Sequence, residues 1–69
     1  MKISYYEDSD MLYISFNDRP GADAEEIADG VVIDLNEDGR PIGIEIEHAS
    51  TKVDLTTLEA ESLPVTGGP

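Results

Sequence analysis

The sequence predicts an α+β domain: a small antiparallel sheet of two β-hairpins, four strands with room for a fifth short one, and a short C-terminal helix or strap on one face. Three observations lead there. Apolar residues alternate with period two in four separate runs, the mark of strands with one buried face. An Asp38-Gly39 pair separates the last two runs, as in a tight hairpin. After Ile46 the alternation stops, and Asp54 stands before Leu55 and Leu58 as a helix cap would.

Taken in order, Lys2 to Tyr6 places Ile3 and Tyr5 on one face, and Met11 to Phe16 does the same with Leu12, Ile14 and Phe16. The turn Glu7-Asp8-Ser9-Asp10 joins them, and matched apolar faces set Tyr5 opposite Leu12 and Ile3 opposite Ile14. Asn17 to Asp23, with Arg19-Pro20-Gly21, is a loop. Ala24 to Ala28 is the candidate fifth strand, before Asp29-Gly30. Val31, Ile33 and Leu35 face inward in the third main run, and Ile42, Ile44 and Ile46 in the fourth. A two-residue type I′ turn at Asp38-Gly39 sets Glu37 opposite Arg40. Leu35 then meets Ile42, Ile33 meets Ile44 and Val31 meets Ile46. Pro41 then faces Asn36 at a non-hydrogen-bonded pair, and its strand is expected to begin at a sheet edge. A short helix is expected from Leu55 to about Glu61. The domain spans residues 1–61, and residues 62–69 form a loose tail.

Size and charge bound the functions. A chain of 69 residues is one domain, and one this small buries only about 60% of its unfolded surface. Four Lys and Arg against sixteen Asp and Glu give a net charge of −12. That balance repels phosphate backbones and anionic bilayers, so neither nucleic acid nor membrane is an expected partner. There is no cysteine, which excludes disulfides and thiolate metal sites. No apolar run suits secretion or membrane spanning, and the expected location is the cytoplasm.

The runs KISYYEDSDMLYISF and EIADGVVIDLNEDGRPIGIEIEHAS resemble the small bacterial domain of unknown function 2283. The resemblance rests on four segments: Lys2, Ile3 and Tyr5 of a K-I-x-Y opening; Leu12 to Ile14 of an L-Y-I segment; Asp29 to Val31 with Asp34 of D-G-V-x-x-D; and Gly39 with Gly43 to Ile46 of G-x-x-x-G-I-E-I. It covers about residues 2–50. It implies a small antiparallel sheet with a short C-terminal element, and it carries no catalytic residue. It also hints at an antitoxin-like role beside a small basic toxin.

Two motifs have plainer explanations than their patterns suggest. Asp34-x-Asn36-x-Asp38-Gly39-x₅-Glu45 satisfies the EF-hand pattern, but the flanks alternate as strands where an EF-hand needs helices. A polar hairpin turn accounts for every residue without calcium. Leu63-Pro64-Val65-Thr66-Gly67 matches a sortase signal but lacks the hydrophobic span and basic tail that cell-wall anchoring requires.

Nor is there an enzyme signature. Asp34 lies diagonal to Glu45, near enough to share a proton, and a metal-dependent hydrolase built on them is the least favoured alternative. His48 is the only histidine and sits at a strand end. No cofactor, metal site or catalytic residue is expected. The second sheet face is polar except for Tyr6, Met11, Tyr13 and Val32, which form one candidate interaction surface if the two hairpins adjoin. The expected function is therefore a small acidic interaction module, either a homo-oligomer or bound to a basic partner protein. Antitoxin-like inhibition of a small basic toxin is the narrower alternative.

Overall fold

The computed structural model describes residues 1–64. Five strands form one antiparallel sheet: β1 (Lys2–Tyr6), β2 (Met11–Ser15), β3 (Asp23–Ala28), β4 (Val31–Leu35) and β5 (Pro41–Ile46). Their spatial order is β1-β2-β5-β4-β3. Strands β3, β4 and β5 form a meander, and β2 returns beside β5, so strands β2 to β5 trace a Greek key that β1 extends at one edge. The two hairpins do adjoin, through β2 and β5.

The candidate fifth strand forms, one residue longer than expected, and gives the sheet its second edge. Its pairing with β4 carries a bulge between Glu26 and Ala28, which leaves Ile27 58% exposed. The first hairpin has the expected register, Tyr5 opposite Leu12 and Ile3 opposite Ile14.

Three expectations are corrected. The fold is not α+β, for the only helical element among the described residues is a 3₁₀ turn, η1 (Ala49–Thr51). The helix expected at Leu55 to Glu61 is absent, and a strap without regular structure takes its place. Asp54 makes capping bonds, accepting from the Thr56 N–H at 2.9 Å and from the Thr56 hydroxyl at 2.5 Å, but no helix follows. Such local bonds are themselves an alternative to helix. Two adjacent threonines, stiff at χ1, weaken the segment further, and seven residues do not sustain a helix without packing.

The second correction concerns the last hairpin. Its loop is one residue longer than a type I′ turn: Asn36 N–H donates to Arg40 O at 2.9 Å, and Gly39 N–H to Asn36 O at 2.9 Å. Within it only Gly39 has positive φ, at 75°, whereas type I′ needs two such residues. The Asn36 side chain selects this loop, since its Oδ1 accepts from the N–H groups of Asp38 (2.9 Å) and Arg40 (3.0 Å). A bulge between Asp34 and Leu35 absorbs the extra residue. Leu35 therefore pairs with Pro41 rather than Ile42, while Ile33↔Ile44 and Val31↔Ile46 stand as expected.

The third correction concerns Pro41, which opens a central strand, not an edge. Ile42 O accepts the last bond from β2, from Phe16 N–H at 2.9 Å, so no partner on that side needs a proline N–H.

The core is small. Leu12, Ile42, Ile46 and Ala49 are its buried apolar residues. Leu12, Ile46 and Ala49 cluster, with Ile14, Val31, Ile44 and Val53 packed against them and partly exposed. Of the other expected inward positions, Ile3 (44%), Tyr5 (43%) and Phe16 (36%) stay exposed, because the described residues place no second full layer on the sheet.

Candidate functional site

The chain offers two candidate surfaces, one on each face of the sheet. On the apolar face, the strap after η1 runs beside the sheet without lying flat on it. Between them is a groove of about 540 Å³ lined by Ile3, Tyr5, Leu12, Ile14 and Ile46 of the sheet and by Val53 to Leu58 of the strap. Leu55 (39%) and Leu58 (76%) are exposed.

Asp10 holds this arrangement in place. It has φ of 54°, a left-handed conformation that Asp tolerates better than most residues. Its Oδ1 accepts from the Tyr5 hydroxyl at 2.8 Å and the Ser50 N–H at 3.0 Å, its Oδ2 from the Ser50 hydroxyl at 2.6 Å, and its carbonyl from Ala49 N–H at 2.8 Å. The Ser50 and Tyr5 bonds hold its carboxyl below the usual carboxylate range, with His48 adding to the effect. The same contact raises the Tyr5 phenol, whose proton serves that bond. One turn residue thus ties the first hairpin to the start of the strap, 40 residues away in sequence. Periodicity does not reveal this; the one local signal is an Asp closing a four-residue turn.

The opposite face carries the candidate interaction residues. Tyr6 and Met11 are direct cross-strand partners. Tyr13 pairs with Glu45 on one side of β5, and Val32 pairs with Glu45 on the other. Glu45 therefore separates Val32 from the group formed by Tyr6, Met11 and Tyr13. Tyr13 leans over Gly43: a Cβ at that glycine would lie 2.6 Å from the Tyr13 hydroxyl oxygen and 3.1 Å from Ile14 O. Glycine is required there by the close approach of the ring and of a neighbouring backbone.

Tyr13 meets a pair of carboxylates in this position. Burial first, then the charges of Asp34 and Glu45, push its phenol up. Glu45 is raised above the usual carboxylate range by its hydrogen bond to Asp34, with burial and the charges of Asp34 and Glu47 adding to it. The sequence places Asp34 and Glu45 as diagonal neighbours, and the register keeps them so, with Asp34 opposite Gly43 and Glu45 opposite Val32. The other members of the calcium-like pattern are used otherwise, since the Asn36 Oδ1 already holds two backbone N–H groups. His48 begins η1 at φ 51° and accepts through its carbonyl from Thr51, a backbone role. The sortase-like motif continues past Pro64 and lies outside the described residues.

A raised carboxyl stabilises the fold where it is protonated. The Glu45 contribution is fully present below its unfolded pKa and is lost as pH rises through the higher folded value. Glu45→Gln is therefore expected to raise the melting temperature at neutral pH and to flatten its decline as pH rises above the ordinary carboxylate range. A thermal series against pH for both proteins checks it. Parallel curves would show that the pair does not govern that decline.

Together these features define a class: a single-layer antiparallel Greek-key domain with an uncovered apolar groove on one face and an acidic, tyrosine-bearing face on the other. The chain belongs to the family described as Protein of unknown function (DUF2283), which matches residues 2–50. That match includes all five strands and ends at Ser50, so most of the strap lies beyond it. No curated protein and no solved structure matches the chain. Among the described residues no helix is long and apolar enough to cross a membrane.

Proposed function

We propose that this domain is an acidic protein-interaction module that takes a basic partner protein into its apolar groove. The observation that carries the proposal is the groove itself. A sheet with one apolar face requires a second layer, and among the described residues it is supplied only in part, by Ala49 of η1 and Val53 of the strap packed at Leu12 and Ile46. Apolar side chains left open in a concave surface favour a partner contact. The net charge of −12 selects the partner by steering, favouring a protein with a basic rim and repelling nucleic acid.

The test is affinity capture on the immobilised domain from its native host, run in parallel with Leu58→Asp. Leu58 is 76% exposed, so its replacement leaves the core intact and places a charge in the groove. The expected result is one basic protein retained at equal stoichiometry by the native chain and lost with the variant. Equal retention by both, or no enrichment of a basic protein, would refute the groove as the binding site.

A further inference from the structure

The two edges of the sheet differ in their defences. An edge strand presents unpaired backbone N–H and C=O groups, and natural sheets protect it with charges, bulges or proline. Edge strand β3 is protected in this way: it carries Asp23, Glu25 and Glu26 within six residues, and a bulge interrupts its outer end. The other edge, β1, has no bulge and a single charge, Lys2, at its first position. Its sequence Lys-Ile-Ser-Tyr-Tyr holds no acidic residue and no proline, and its five pairs with β2 run without a register shift. Among the described residues it pairs with β2 alone, and its residues are exposed or half-exposed. In a chain with sixteen carboxylates, this is where two copies can meet without opposing acidic side chains.

We infer that a second copy of this chain pairs with β1, antiparallel about a two-fold axis at Ser4, to make one continuous ten-stranded sheet. The strand is self-complementary in that register. Ser4 lies opposite its own copy, Ile3 opposite the copy's Tyr5, and Lys2 opposite the copy's Tyr6. Ile3 and Tyr5 share the apolar face, so their contacts extend the apolar surface across the junction. Lys2 and Tyr6 share the other face, where the ammonium meets a tyrosine ring and reaches towards the acidic turn that begins at Glu7. Any register shifted by one residue would set the apolar face of one copy against the polar face of the other. The inference does not rest on the groove: it concerns the outer backbone of β1, although Ile3 and Tyr5 of that strand also line the groove.

The test uses charge exchange at the axis. Light scattering on the native chain is expected to give twice 7.5 kDa at high concentration, dissociating on dilution. Ser4→Glu and Ser4→Lys each place like charges face to face, which raises the dimer dissociation constant about tenfold or more. An equimolar mixture of the two variants restores the dimer as a heterodimer, while Leu58→Asp leaves it unchanged. Melting curves confirm that both Ser4 variants are folded. A second arm uses the absence of native cysteine: Ser4→Cys is expected to form a disulfide-linked dimer, and Glu25→Cys on the protected edge is not. A native chain monomeric throughout, Ser4 variants that stay dimeric, or a mixture that fails to recombine would each overturn the inference.

Discussion

Leu12→Ala is expected to remove a large share of the stability of the domain. Leu12 is 8% exposed and packs with Ile46 and Ala49 at the centre of the one buried cluster. Truncating a buried leucine costs about 2–5 kcal/mol, from lost transfer energy and from the cavity left behind. At about 0.05–0.15 kcal/mol per residue, a chain of this length has roughly 3–10 kcal/mol in total. In a larger protein the same change would be tolerated; here it consumes about a fifth to all of the margin. In a domain of this size the melting temperature falls by about 4–8 °C per kcal/mol, so a drop of at least about 8 °C is expected, or no cooperative transition. Ile27→Ala is the control. That residue is 58% exposed at the β3 bulge, where the change stays within about 0.5 kcal/mol. Equal shifts for the two variants in thermal or urea unfolding would mean that the core is elsewhere.

Asp10→Ala is expected to free the strap while leaving the sheet folded. The substitution removes the acceptor for the Tyr5 hydroxyl and for both donors of Ser50, and it puts alanine at a positive φ that suits it poorly. Hydrogen exchange at Ser50 to Val53 should then approach that of an open chain, while amides of the central strand β5 keep their protection. Asp10→Asn retains the left-handed preference and part of the acceptor capacity, and should lie between the two.

The same contact gives an acid limit. Because the Asp10 carboxyl is lowered in the fold, its contribution is present above the unfolded value and is lost as pH falls through the folded one. Acid should therefore loosen the strap in the native chain but not in Asp10→Ala. This sign is opposite to that of Glu45, which stabilises on protonation, so the two sites separate within one pH series. Unchanged exchange in Asp10→Ala would show that Val53 and the apolar contacts hold the strap without the hydrogen bonds.

The legible and illegible parts of the fold divide by the range of the forces involved. Alternation at Ile3 and Tyr5, at Leu12 and Ile14, and at Val31 and Ile33 identifies strands and faces because side-chain direction reverses at every residue, whatever the neighbours are. The weak pattern of Ala24 to Ala28 is harder to read, since an edge strand dominated by carboxylates has little apolar signal. The loop at Asp38-Gly39 is one residue longer than that pair predicts because the Asn36 side chain competes for the backbone donors that close it. On the candidate surfaces, the proximity of Asp34 to Glu45 was readable from hairpin register. The separation of Val32 from Tyr13 by Glu45 was not, because it depends on the placement of β2.

The placement of β2 marks the limit. The amino-acid order alone establishes an acidic chain built from short amphipathic strands, the local register of its first hairpin, and the side of the four main strands that carries the apolar residues. Such properties arise from covalent geometry and from neighbours within a few residues. The pairing of β2 with β5, the bulge before Leu35 and the anchoring of the strap at Asp10 belong to the folded molecule. Each requires hydrogen bonds between groups distant in sequence, for which several edges and donors compete. The winner is the arrangement that buries Leu12 against Ile46, leaving a less protected edge at β1 and an open groove beneath the strap.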